Sequence, residues 1–207
     1  MIKDAKSINI IFLTGKPACG KDTQAKILSK KLGYEIITTS EEIKKFLSKY
    51  KKNYFNIGKI KINIKKQKIL IEKGKLVSYR LVGYLILNLL KRKIKEEKSL
   101  IFAGSPRSLY EAKLYINFSK KLKTIKCFFF YLKISDKTAI QRALARKEKR
   151  PDDILPIVKK RLIVFKKEIK PMLDWLKHRK LLIEIDGERK PMEIAKDIIK
   201  HVNAKKV

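Results

Sequence analysis

Several scarcities narrow what this chain can be. Its 207 residues contain only two cysteines. Cys19 and Cys127 lie far apart and match no metal-ligand spacing, which argues against a disulfide framework and against a zinc site. No apolar run approaches the ~20 residues that a membrane span needs, and the first residues carry no signal-peptide pattern. The expectation is a soluble, cytoplasmic protein. No repeat or flexible linker divides the chain, whose length suits one domain with a substantial core and a small inserted subdomain.

Acidic residues are also few. Twenty Asp and Glu stand against 53 Lys and Arg, for a net charge of +33. Such a balance can mark a surface for nucleic acid or anionic membrane. However, Lys outnumbers Arg 44 to 9 and Ile reaches 30, a pairing that AT-rich coding produces without selection for binding. The lysines are spread over the whole chain, so no specific nucleic-acid partner and no membrane partner is expected, only salt-dependent attraction to polyanions.

Arginine is the scarce cation and the more informative one. Against a background that prefers lysine, an arginine points to a position where a planar, bidentate fork matters. Arg142 and Arg146 are spaced i, i+4, which predicts a shared helix face; Arg150 follows in the polar stretch KEKRPDD, and Arg161 sits on the next predicted helix. Taken singly, each could be a solvated surface charge.

The residues that are present in a telling order are Gly15 to Thr23, GKPACGKDT. They follow the apolar run Ile8 to Leu13 and open a helix-period segment. Their two glycines, Gly15 and Gly20, let the backbone close around a polyphosphate with its N–H groups inward. The helix that follows aims its positive end at the same place, and Lys21 supplies a point charge for the outer phosphates. The alternative is an ordinary glycine turn between a strand and a helix.

Strand-like runs at 8–13, 34–38, 99–103, 126–132 and 181–185 alternate with helix-period segments. This predicts an α/β fold around a five-stranded parallel sheet with right-handed crossovers. Ligands of such sheets lie beyond the carboxyl ends of the strands, where the glycine loop falls. Residues 40 to 77 hold helical segments and little strand pattern, and read as an excursion from the sheet.

Together these pieces resemble the adenylate kinase family of nucleoside monophosphate kinases over nearly the whole chain. GKPACGKDTQ resembles the family's GxPGxGKGTQ. ITTSEEIKKF (Ile37 to Phe46) looks like the start of its monophosphate-binding subdomain, and GKLVS (Gly74 to Ser78) is similar to GxLVP. AGSPRSLYEA (Ala103 to Ala112) resembles DGFPRTxxQA, QRALARKEKRPDD resembles the RxxxR and RxDD lid, and IDGERKPMEI resembles the closing VDG segment. The resemblance implies a three-layer fold of the P-loop nucleoside triphosphate hydrolase type, forming a single P-loop kinase domain over 1–207 with a helical monophosphate-binding subdomain at about 38–77 and a short lid at about 146–153. It implies ATP and a nucleoside monophosphate as partners, Mg2+ as cofactor without zinc, and a monomer.

Carried over position by position, the resemblance implies an ATP site at Gly15, Pro17, Ala18, Cys19, Gly20, Lys21, Asp22, Thr23 and Arg142. It implies a monophosphate site at Thr39, Lys44, Val77, Arg107, Glu111, Arg150 and Arg161. Lys21, Arg107, Arg146, Arg150 and Arg161 would serve catalysis, and Asp152 and Asp153 would orient the lid arginines. A monophosphate oxygen is already a nucleophile, so His178 and His201 need no catalytic role. Cys19 reads as a small filler of the loop or, in its positive potential, as a thiolate.

Four departures from the family pattern qualify this. The aspartate of DGFPR is Ala103 here, while a glycine of the loop is Asp22, whose carboxylate could take over contact with the magnesium shell through water. Lys44 replaces an arginine and loses its fork. Glu111 replaces the glutamine that reads adenine; a carboxylate only accepts, which suits a guanine edge better. AMP remains the expected acceptor. Another monophosphate such as GMP, a nucleotide-binding pseudoenzyme and a basic nucleic-acid-associated protein stand as alternatives.

Overall fold

In the computed structural model of the chain, residues 7–73, 75–122, 124–146 and 153–204 are described. The first strand, β1 (Ile8–Gly15), runs into the glycine loop and α1 (Lys21–Leu32). The chain returns through β2 (Glu35–Thr38) and leaves the sheet for α2 (Thr39–Lys49), β3 (Tyr54–Ile57), β4 (Ile60–Asn63), α3 (Ile64–Glu72) and the long α4 (Tyr79–Lys95). Then come β5 (Leu100–Ala103), α5 (Leu109–Lys120), β6 (Ile125–Lys133), α6 (Asp136–Leu144) and α7 (Leu155–Val164). A π-helical turn, Phe165–Ile169, joins α7 to α8 (Lys170–His178), and β7 (Leu182–Asp186) and α9 (Pro191–Ala204) complete the described elements.

The five long-range strands form one parallel sheet in the order β2-β5-β1-β6-β7. Every residue of β1 is buried, as a central strand covered on both faces requires. Its side chains alternate between two cores. Ile8, Ile10 and Phe12 face the layer that contains α2, α4, α5 and α8, whereas Ile11 and Leu13 face α1 and α9. Phe12 lies at the centre of the first core, with its ring 4.9 to 5.2 Å from those of Phe129, Tyr115 and Phe102. Among the described residues no helix is long and apolar enough to cross a membrane.

Two local expectations need correction. The excursion after β2 is not purely helical: β3 and β4 pair antiparallel around a two-residue turn, with Gly58 at φ 57°. These strands have four residues each, too short to stand out beside a helical pattern. They are held by Phe55, whose ring packs edge-on against Phe46, Tyr50 and Tyr84. Nor do Arg142 and Arg146 share a helix face. Helix α6 ends at Leu144, and Ala145 turns the backbone out of the helix at φ −84°, ψ 3°, so Arg146 lies beyond it.

Candidate active site

Strand register brings the relevant loops to one edge. Gly15 pairs with Leu132, which pairs with Ile185, while Leu13 pairs with Ala103 and Ala103 with Thr38. The ends of all five parallel strands therefore open on the same side, and β1 stands between β5 and β6 where the connections diverge. A crevice outside the carboxyl ends at such a divergence is where open α/β sheets take their ligands.

The glycine loop is built by close packing. A Cβ on Gly15 would stand 2.5 Å from Cys19 Sγ and 2.7 Å from the carbonyl oxygen of Leu132, so only glycine fits. Gly20 takes φ 94°, and Ala18 takes φ 57°, a left-handed conformation that an L-residue with a Cβ adopts at some cost. The Lys21 ammonium donates to the carbonyls of Gly15 and Lys16 at 3.2 and 3.1 Å and contacts Cys19 Sγ at 3.3 Å. These are neutral partners; an anionic phosphoryl oxygen makes the stronger, charge-assisted bond.

Lys16 ties the loop to the chain just after β6, a contact that leaves no local signal in the sequence. Its ammonium donates to the carbonyl of Ile134 at 2.7 Å and pairs with Asp136 at 2.7 Å. Lys166, from the π-helical turn, pairs with the other oxygen of Asp136 at 2.7 Å. Hydrogen bonds from Lys16 and then Lys166 hold the Asp136 carboxyl below its usual range.

The second wall follows β5. Gly104, at φ 92°, donates its N–H to Leu13 and accepts at its carbonyl a 2.7 Å bond from Arg107 Nε. A Cβ there would lie 2.9 Å from Arg107 Nη2, so this glycine makes room for the folded-back guanidinium. Burial lowers the Arg107 pKa from its ordinary value; Glu111 and Asp22 oppose that and Arg161 adds to it. Arg107, Arg161 and the first turn of α1 thus share one electrostatic neighbourhood.

A third group gathers around the end of α6. Arg142 spreads its two terminal nitrogens over the carbonyls of Gly187 and Glu188 at 2.8 and 3.3 Å. Arg146 pairs with Asp153 at 2.8 Å, and that aspartate side chain is almost fully buried. Arg150 and Asp152 lie outside the described residues.

Sequence comparison agrees with this geometry. The family model described as adenylate kinase matches residues 13–181. The chain belongs to the adenylate kinase family. Among similar curated proteins, an adenylate kinase of Prochlorococcus marinus (strain MIT 9301) is 30% identical over 190 residues, covering 92% of this chain and 96% of that protein. One from Azobacteroides pseudotrichonymphae is 27% identical over 195 residues, covering 93% and 96%. One from Encephalitozoon cuniculi is 26% identical over 188 residues, covering 91% and 94%. Membership in the adenylate kinase family supports nucleoside monophosphate kinase activity with ATP.

Within that family frame, two expected acceptor residues stand in contrasting settings. Thr39, at the start of α2, is 1% exposed and its hydroxyl has no hydrogen-bond partner among the described residues. A buried hydroxyl left this way is costly unless something else completes it. Glu111, 2% exposed, is instead surrounded by donors: Ser105 Oγ, Ser108 Oγ and the Arg107 N–H, each at 3.1 Å. Ser108 in turn accepts from the Glu111 N–H at 3.2 Å, a variant of the capping box that the spacing Ser108-x-x-Glu111 makes readable in the sequence. Lys44 is exposed on α2, Thr23 is exposed on α1, and Val77 is half-buried before α4.

The donor set for a metal is sparse. Among the described residues no three His, Cys, Asp or Glu stand together to hold an ion, and Ala103 offers no side-chain oxygen. Asp22 is the carboxylate in the first turn of α1, next to Lys21. Magnesium is commonly held by one or two carboxylates together with substrate phosphates, so this set fits an ion that arrives with a nucleotide.

Proposed function

We propose that this chain transfers the γ-phosphoryl group of ATP reversibly to AMP, so that donor and acceptor both become ADP. The observation that carries the reading is the glycine loop at the carboxyl edge of the sheet, with Lys21 held on the carbonyls of Gly15 and Lys16 and with Arg107 folded onto Gly104 at the end of the neighbouring strand. Burial lowers the Arg107 pKa and the nearby Arg161 charge adds to that, so an anion that enters beside Arg107 relieves it.

Phosphoryl transfer through a loose transition state asks for alignment and neutralisation of charge on the equatorial oxygens, with little covalent help. The loop from Gly15 to Gly20 would wrap the triphosphate with backbone N–H groups, and Lys21 would exchange its carbonyl partners for phosphoryl oxygens. Arg107 would hold the acceptor phosphate, with Arg161 between acceptor and donor. Arg146 and Arg150 would close on the transferring group, with Asp153 and Asp152 orienting them, while Arg142 would lie on the ATP base. Mg2+ carried by ATP neutralises charge on the phosphates when bound, and Asp22 would meet its water shell in place of the carboxylate missing at Ala103. Thr39 would complete its unpartnered hydroxyl on the acceptor, and Lys44 and Val77 would line the same side.

The test compares AMP, GMP, CMP and UMP as acceptors at fixed ATP and magnesium in a coupled assay for ADP. AMP with the highest kcat/KM is the expected result. GMP as the better acceptor overturns the choice of AMP, and nucleotide binding without turnover for all four identifies a pseudoenzyme.

A further inference from the structure

We infer that Glu111 is a positioning residue for Arg107 and does not read the acceptor base. This rests on the assignment of Arg107 to the acceptor phosphate made above. Ser105 Oγ donates its single proton to Glu111 Oε2 at 3.1 Å, so the 3.2 Å contact between Ser105 Oγ and Tyr115 Oη must be donated by the tyrosine. Ser105 and Tyr115 are both essentially inaccessible to solvent. The same Oε2 accepts the Arg107 N–H, and Oε1 accepts from Ser108 Oγ. Both oxygens are therefore engaged by protein donors, and a carboxylate turned toward a base would give up three hydrogen bonds made in a buried place.

What this arrangement fixes is the root of the arginine. Arg107 is held at its backbone N–H by Glu111 and at its Nε by the Gly104 carbonyl, two anchors on either side of Cα. The negative charge also offsets the burial of the guanidinium and its repulsion by Arg161. A guanidinium held in place before the acceptor arrives needs no reorganisation on binding, which is the condition for tight, oriented phosphate capture. Position 111 thus acts on every monophosphate alike, whatever its base.

The experiment measures binding of AMP, GMP, CMP and UMP, and separately of ATP, by titration calorimetry. The proteins are the wild type, Glu111→Gln, Glu111→Ala, Arg107→Ala and the Glu111→Ala/Arg107→Ala double variant. Glu111→Ala is expected to weaken all bound monophosphates by one common factor of about tenfold, with ATP affected less than about twofold. In the Arg107→Ala background that loss disappears, because nothing remains to be positioned. Glu111→Gln, whose carboxamide oxygen can still accept from Ser105 and the Arg107 N–H, leaves the AMP-to-GMP ratio within about twofold of wild type.

Two results would overturn the inference: an AMP-to-GMP ratio shifted about tenfold or more by Glu111→Gln, or a Glu111→Ala loss that persists undiminished without Arg107. A purely architectural role would lower monophosphate and ATP binding together with the melting temperature, and that also counts against it. If Glu111→Ala does not fold, Ser105→Ala serves in its place: it removes one donor to the carboxylate and should weaken the monophosphates in common by a smaller factor, while a base-dependent change rejects the proposal. Turnover does not enter these ratios. A wild type that binds acceptors without transferring phosphate defeats the proposed reaction and leaves the positioning role standing; one that binds no monophosphate defeats both.

Discussion

The two ends of the crevice are built by different means. At the loop end the structure depends on main chain: glycines at Gly15 and Gly20, a left-handed Ala18, and a lysine satisfied by carbonyls. At the opposite wall it depends on side chains: a carboxylate, two hydroxyls and a phenol arranged around Arg107. Backbone geometry is written in consecutive residues, while a side-chain network is assembled from positions chosen by folding. If the division is functional, changes at the loop should move ATP parameters and changes beside Arg107 should move those of the acceptor.

The largest separation is expected from Lys21→Met. Losing the Lys21 ammonium should lower kcat by about a thousandfold, the scale seen when a charge-stabilising group of phosphoryl or acyl transfer is removed. Binding of the monophosphate should be almost unchanged in titrations. A variant that loses acceptor binding equally would show that the two ends are not independent.

Gly104→Ala tests the other wall. A methyl group would stand 2.9 Å from Arg107 Nη2 on a backbone at φ 92°, so the guanidinium must move and the turn is strained. The expected outcome is a rise of about tenfold in monophosphate KM with ATP KM within about twofold. Equal changes in both would mean that the glycine serves the sheet edge as a whole.

How far each end could be read beforehand follows the same division. The strand runs 8–13 and 126–132 correspond to Ile8–Gly15 and Ile125–Lys133, because continuous apolar residues in a doubly covered strand are a local signal. The glycine loop was legible for the same reason. The hairpin at Tyr54–Asn63 was not, since its strands are short and half exposed and owe their place to Phe55 meeting Phe46 and Tyr50. Glu111 stands in sequence at a base-reading position of the family, and its donors Ser105, Ser108 and the Arg107 N–H come together only in the fold. Of that network only the capping spacing was visible in the sequence. Lys16 carried no signal at all, because its partners lie more than a hundred residues away.

The Lys16 brace gives a smaller, pH-dependent effect. The Asp136 carboxyl is depressed in the folded chain, first by Lys16 and then by Lys166. Its contribution is therefore present above the unfolded carboxyl value of about 3.9 and is lost as pH falls through the lower folded value. Asp136→Asn should lower the melting temperature at neutral pH and flatten its decline below about pH 4. Because the aspartate is partly exposed, screening keeps the loss small. The ATP KM should rise a few-fold at most, with the acceptor KM unchanged; an unchanged acid limb would remove the brace from the account.

Ala18→Gly is the finest probe of the loop end, because two opposing terms nearly balance. Ala18 sits at φ 57°, where a Cβ costs roughly 1–2 kcal/mol. Glycine relieves that but gives back about 0.5–1 kcal/mol of unfolded-chain entropy. The net gain is about 0–1.5 kcal/mol, which in a chain of this length raises the melting temperature by up to about 6 °C. Catalytic constants should stay within about twofold, since the backbone N–H groups keep their directions. A fall in melting temperature would mean that the loop tolerates Ala18 without strain, and that its shape is imposed by Lys16 and Cys19 packing instead of by the conformational preference of its own residues.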